Sequence, residues 1–130
     1  MLEKLSTSNR LELNNFIKKN LNFLENKIIG LIGNLGSGKT TFVQELAKLL
    51  NIKETVNSPT FNVMKVYDNL VHLDIYNKID SLDQYEDYFI NNTVAIEWAE
   101  LAKNIISFDV LIYIEEKNGI YHYEMRDTWK

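Results

Sequence analysis

The octapeptide Gly33-Asn34-Leu35-Gly36-Ser37-Gly38-Lys39-Thr40 constrains this chain more than any other stretch of it. It fits G-x-x-x-x-G-K-[ST], the phosphate-binding loop (P-loop) pattern, in which each position has a physical task. The glycines permit backbone angles that turn successive N–H groups inward, making a nest for phosphate oxygens. Gly38 lets the chain pass close beneath the phosphates, Lys39 neutralises β/γ charge, and the Thr40 hydroxyl is placed to ligate Mg²⁺. The flanks supply the context this pattern requires. Lys27 to Ile32 (KIIGLI) is apolar on both faces, as a central strand is. From Lys39 to about Leu50 runs an amphipathic helix that buries Phe42, Val43, Leu46, Ala47 and Leu50, with its positive dipole end at the loop. Strand, glycine loop and helix in that order point to an α/β fold with a nucleoside triphosphate site.

The remaining segments fit such a fold. Leu2 to Leu5 reads as a short strand, and Asn9 with Glu12 as an N-cap pair. They open a helix whose apolar positions Leu13, Phe16, Ile17, Leu21 and Leu24 share one face. Phe61 to Tyr67 and Leu70 to Tyr76 read as strands about an Asp68-Asn69 turn. Ser81 and Gln84 form a capping-box pattern for a short helix through Ile90, and Thr93 to Trp98 is a buried strand. Asp109 to Glu115 and Ile120 to Met125 flank Asn118-Gly119, a strong hairpin signal. The expected architecture is a three-layer α/β fold of the P-loop NTPase kind, a mixed parallel and antiparallel sheet flanked by helices. One P-loop domain over all 130 residues is expected.

Composition narrows the partners. The chain has no cysteine, which excludes disulfides, thiolate metal sites and a cysteine nucleophile. Its first ten residues are polar and charged, and no apolar run nears the ~20 residues of a membrane span, so a cytoplasmic protein without membrane contact is expected. Fourteen basic residues against eighteen acidic give a net charge of −4, with Arg10 and Arg126 the two arginines, which disfavours a direct grip on nucleic acid. Asn77-Lys78-Ile79-Asp80 imitates the guanine-reading N-K-x-D of GTPases. It follows Lys39 too soon for a G domain, and no glycine has an aspartate three residues before it; a polar loop is the better reading.

Hydrolysis needs a metal shell and a group that positions water, and two acids stand out. In Val71-His72-Leu73-Asp74-Ile75-Tyr76, alternation puts His72, Asp74 and Tyr76 on one face, either for a functional reason or because the strand is half exposed. Glu97 ends the apolar strand Thr93-Val94-Ala95-Ile96, where ligands sit in open α/β sheets. An ordinary strand-end acid is the alternative. His72 and His122 have no spacing that converges them on a metal, and each is better read as structural or solvated.

Gly33 to Thr41, Val56-Asn57-Ser58-Pro59-Thr60-Phe61, His72-Leu73-Asp74-Ile75-Tyr76 and Ile96-Glu97-Trp98, in that order and at short spacings, closely resemble the TsaE (YjeE) family. The resemblance spans roughly Asn9 to Met125. It implies an ATPase of bacterial tRNA threonylcarbamoyladenosine (t6A) synthesis with ATP and Mg²⁺ as cofactors. By position, Thr40 and Glu97 would hold Mg²⁺, while Gly33, Gly36, Ser37, Gly38, Lys39, Thr40 and Thr41 would hold the phosphates. Asp74 matches the family's essential acid, acting near the γ-phosphate or through a metal-bound water, so the catalytic set is Lys39, Asp74 and Glu97. Ser58-Pro59-Thr60 resembles a switch-like segment, with a stiffened loop as the plainer alternative. Trp98 is similar to a family tryptophan linked to activity, although a packing role fits it equally.

Asn34 stands where the family usually has Asp, and the short sequence after Gly119 leaves adenine recognition open. The implied partner is the TsaD–TsaB complex, which transfers the threonylcarbamoyl group to N6 of adenosine 37, with tRNA met indirectly through it. ATP would reset that machine, and activity alone is expected to be weak. A non-hydrolysing nucleotide switch is the runner-up. A small metabolite kinase is disfavoured, since no arginine-bearing lid lies between Arg10 and Arg126.

Overall fold

The computed structural model describes residues 2–34, 36–57, 63–76 and 81–130. Seven strands form one sheet: β1 (Glu3–Thr7), β2 (Ile28–Ile32), β3 (Met64–Tyr67), β4 (Leu70–Asp74), β5 (Thr93–Glu97), β6 (Val110–Lys117) and β7 (Ile120–Arg126). Their order across the sheet is β1-β7-β6-β2-β5-β4-β3. The central strands β6, β2, β5 and β4 run parallel, and β3, β7 and β1 extend the edges antiparallel. This is the mixed α/β sheet the sequence implies. Strand β5 is buried along its whole length, as a parallel strand covered on both faces must be.

Two helices, α1 (Arg10–Lys19) and α3 (Lys39–Leu49), cover one face. Leu13, Phe16 and Ile17 of α1 pack with Phe42, Val43 and Leu46 of α3 on Ile29, Leu31, Ala95 and Ile112. The opposite layer is thinner. The one-turn helix α4 (Asp83–Glu86) and two 3₁₀ turns, Asp87–Phe89 and Ala99–Ala102, cover Val71, Leu73, Val94 and Ile96.

Local chemistry sets the boundaries. The first helix does not run unbroken to Leu24: Asn20 leaves the helical region and its side-chain amide donates to the Phe16 carbonyl at 2.9 Å. That bond competes with the helix ladder, so Leu21–Leu24 starts afresh as α2. The Ser81–Gln84 capping box does not form. Ser81 Oγ accepts from the Asp83 N–H at 3.0 Å, a turn instead of a cap, and the helix begins after Leu82. Leu50 is partly buried, and α3 buries two charged residues, Lys39 at its start and Glu45, which has Arg10, Asn14 and Lys48 on its carboxylate. Both hairpins form where expected. Asn118 and Gly119 both adopt positive φ, 54° and 82°, as a type I′ turn needs, whereas in the Asp68-Asn69 turn Asn69 alone does, at 67°. Residues 61 and 62 of the strand expected before Tyr67 lie outside the described residues, and β3 is described from Met64.

Candidate nucleotide-binding site

The loop after β2 is shaped by its glycines. A Cβ on Gly33 would lie 2.5 Å from the Ile114 carbonyl oxygen and 2.5 Å from Ser37 Oγ, so any side chain there overpacks the loop. Gly38 caps α3 in the left-handed region at φ 107°, a conformation that penalises residues with a Cβ. Helix α3 begins with no side-chain cap. Its first-turn N–H groups, at Lys39, Thr40 and Thr41, therefore meet no capping side chain among the described residues, and the helix dipole adds positive potential there. This is a phosphate cradle in form. Ser37 Oγ, buried beneath it, has no hydrogen-bond partner among the described residues.

Lys39 reaches back over the cradle. Its ammonium donates to the carbonyl oxygens of Gly33 at 2.6 Å and Asn34 at 2.9 Å, and lies 4.1 Å from the centre of the Trp98 ring. Burial lowers the Lys39 pKa below the ordinary lysine value, against the pull of Glu97, Glu100 and Asp74. One turn boundary places that tryptophan. Trp98, directly after β5, adopts the left-handed region at φ 64°, and its ring lies tilted against that of Tyr76 with centres 4.7 Å apart.

Thr40 and Glu97 come together across 57 residues of sequence. The Thr40 hydroxyl donates to Glu97 Oε2 at 3.0 Å and lies 3.2 Å from Oε1. Parallel pairing of β4 with β5 sets Asp74 opposite Glu97 at the carboxyl ends of both strands. Asp74 is half buried, and its Oδ1 accepts from the Tyr76 N–H at 3.0 Å, a bond that closes the strand. The acids thus flank the N-terminus of α3 from the β4–β5 side.

Of the two readings the sequence left open for it, structural or solvated, His72 takes the first. It is fully buried, and its Nε2 lies 2.6 Å from Glu97 Oε2, so it is a partner of the candidate metal acid and not a solvated side chain. Its other nitrogen has no partner among the described residues, which favours the tautomer with the proton on Nε2, donated to Glu97. Strand alternation gave the clue, since His72 and Asp74 share a face two residues apart. His122 stands apart, exposed, with Nδ1 at 2.7 Å from Ser6 Oγ. Ser58, Pro59 and Thr60, and the Asn77 to Asp80 tetrapeptide, lie outside the described residues.

The residues present fit a hydrated divalent cation. No group of three His, Cys, Asp or Glu among the described residues could cage a metal. Thr40 and Glu97 offer two hard oxygen donors, which suits Mg²⁺, an ion that keeps several waters and binds through one or two protein oxygens plus phosphate.

A family model described as "Threonylcarbamoyl adenosine biosynthesis protein TsaE" matches residues 6–125. The chain belongs to the TsaE family. The Aquifex aeolicus tRNA threonylcarbamoyladenosine biosynthesis protein TsaE is 38% identical over 104 residues, covering 73% of this chain and 77% of that protein. The Bacillus subtilis TsaE protein is 34% identical over 99 residues, covering 71% of this chain but 63% of its own, so the match spans under two-thirds of that relative. Among solved structures, the crystal structure of Bacillus YdiB superposes with a TM-score of 0.71 at 23% identity, covering 97% of this chain and 86% of that one, which shows the shared fold.

Proposed function

We propose that this TsaE-family chain binds and hydrolyses Mg-ATP in the cytoplasm and so supports threonylcarbamoylation of adenosine 37 in tRNA, acting with a TsaD–TsaB complex. The observation that carries the reading is the meeting of Thr40 and Glu97 beside Lys39, at a helix N-terminus with no side-chain cap. Relatives named for tRNA threonylcarbamoyladenosine biosynthesis support the pathway.

Each residue then has a role. The N–H groups of the loop and of Lys39, Thr40 and Thr41 bind phosphate oxygens, and Lys39 gives up its two carbonyl partners to pair with β/γ charge. Mg²⁺, when bound, neutralises phosphate charge and draws on Thr40 and Glu97 as protein ligands. Asp74, beside Glu97, orients the attacking water in line with the γ-phosphate. His72 holds the Glu97 carboxylate in place through Nε2.

Intrinsic turnover is slow on this account, because neither arginine of the chain is at the phosphates. Arg10 is tied to Glu45 and Gln44, and Arg126 to Glu124 and the Thr128 carbonyl. The same observation favours a second reading, a switch that binds ATP and changes partner affinity without turnover. Phosphate release from Mg-ATP, measured alone and with TsaD–TsaB plus tRNA, separates them. Slow release that rises with the complex and vanishes in Lys39→Ala supports the ATPase. Tight ATP binding with no release in either setting overturns it in favour of the switch.

A further inference from the structure

The two faces of the sheet are finished differently. Helices α1 and α3 close one face, whereas the other carries two thin crossovers, from β4 to β5 and from β5 to β6, built on α4 and the two 3₁₀ turns. Parallel strands need cover on both faces, and a layer this thin leaves large side chains on its outside. In the first crossover Ile90 is 71% exposed and Tyr88 48%, and in the second Leu101 and Ile105 are exposed as well. Val66 of the edge strand β3 stands opposite Val71 in register and so faces the same layer, yet it is 44% exposed. Exposed apolar side chains gathered in one layer mark an interaction surface.

Charge says what kind of partner fits. Residues 81–109 carry six acids and one base, Lys103. Asp83, Glu86 and Asp87, which lead into Tyr88 and Ile90, are exposed, and among the described residues none of the three makes an ion pair. The terminal hairpin shows the opposite arrangement. There Glu124 gathers Lys4, Arg126 and Lys130, and Glu115 pairs with Lys117. Its charges are satisfied within the chain, and those of the thin layer are not. Their sign repels nucleic-acid phosphates and anionic lipid headgroups. It suits a protein surface with an apolar centre and a rim of lysine or arginine.

We infer that this thin layer is the docking surface for the partner protein, which meets Tyr88 and Ile90 with apolar side chains and the acids Asp83, Glu86 and Asp87 with basic ones. The inference deepens the proposed function and rests on its reading of a chain that works in a complex. Position gives the contact a consequence. One crossover follows the strand that ends in Asp74, and the other follows Glu97 and Trp98 directly. A partner seated on both therefore bears on the segments that leave the two candidate acids.

Binding of the full chain to the TsaD–TsaB complex in Mg-ATP, with calorimetry of Mg-ATP binding alongside, tests this directly. Tyr88→Ser with Ile90→Ser should weaken the complex by about 10-fold or more and leave Mg-ATP affinity as in the parent. Glu86→Gln with Asp87→Asn removes charge and keeps shape, and guards against a folding defect in the first pair. It should weaken the complex too, and flatten the loss of affinity that added salt causes in the parent. If both double variants bound the complex as the parent does, the surface would fall and the proposed function would stand. If both lost Mg-ATP binding along with the complex, the layer would be a support of the nucleotide site and not a docking surface. A parent chain that did not bind the complex at all would remove the proposed function and the surface together.

Discussion

Helices α1 and α3 lie side by side on the same face of the sheet, yet their N-termini are built in opposite ways. At α1, Asn9 is extended and its Oδ1 accepts from the Glu12 N–H at 2.8 Å, while its Nδ2 donates back to Glu12 Oε1 at 3.1 Å. Thr7 adds a further bond to the same carboxylate. At α3, a left-handed glycine takes the cap position, and among the described residues no side chain caps the first turn. One end is closed by its own residues. The other leaves donors and dipole directed at an external anion, with a lysine and a Thr40–Glu97 pair beside it. Adjacent helices of similar length thus divide the work: the capped end contributes stability, and the bare end contributes binding.

Substitutions should separate those contributions, and the largest effect belongs to the bare end. Lys39→Ala removes hydrogen bonds to charged phosphate oxygens, so ATP affinity by calorimetry should fall by about 100-fold or more while the urea midpoint moves little. His72→Ala comes next and acts on both quantities. Loss of a buried bond to the Glu97 carboxylate should cost about 1.5–3 kcal/mol in urea unfolding, and Mg²⁺ should then strengthen ATP binding less than in the parent. His72→Gln, retaining an N–H donor, should recover part of the Mg²⁺ effect.

At the closed end, Asn9→Ala should cost about 1 kcal/mol of stability and leave tripolyphosphate binding as it was. An equal loss of phosphate binding would erase the contrast between the two helices. The smallest effect concerns Glu45, which ties α3 to Arg10 at the start of α1. Burial alone would raise its pKa, but hydrogen bonds from Lys48 and Asn14, with the charges of Lys48 and Arg10, outweigh that and hold it below the ordinary 4.5. A depressed carboxylate stabilises the fold above its unfolded value and loses that contribution as pH falls through the lower folded one. Unfolding midpoints from pH 7 to pH 3 should therefore decline more in the parent than in Glu45→Gln. The difference should stay below about 1 kcal/mol, because Arg10 and Lys48 are largely exposed.

What could be read in advance follows how local each signal is. The phosphate loop is contiguous, and its chemistry sits in its own residue types, so both the loop and the strand and helix around it were legible. Glu97 was legible because it closes an apolar run at a strand end, and Asp74 because alternation sets it on the polar face of Val71 to Tyr76. Their alignment needed the parallel pairing of β4 with β5, which alternation alone does not supply. The bond from His72 to Glu97 was out of reach for the same reason: the sequence allowed a structural histidine, but its partner lies 25 residues away on the neighbouring strand. The break at Asn20 and the failed Ser81 cap show the converse. There a polar side chain chose a nearby backbone partner over the helix, a competition that residue types alone do not decide.

Amide hydrogen exchange with and without Mg-ATP tests the central contrast most directly. Binding at the bare N-terminus predicts strong added protection of the amides at 37–41, with much smaller change at Glu12, whose N–H is already held by Asn9. ATP binding that left 37–41 exchanging as before would contradict the account.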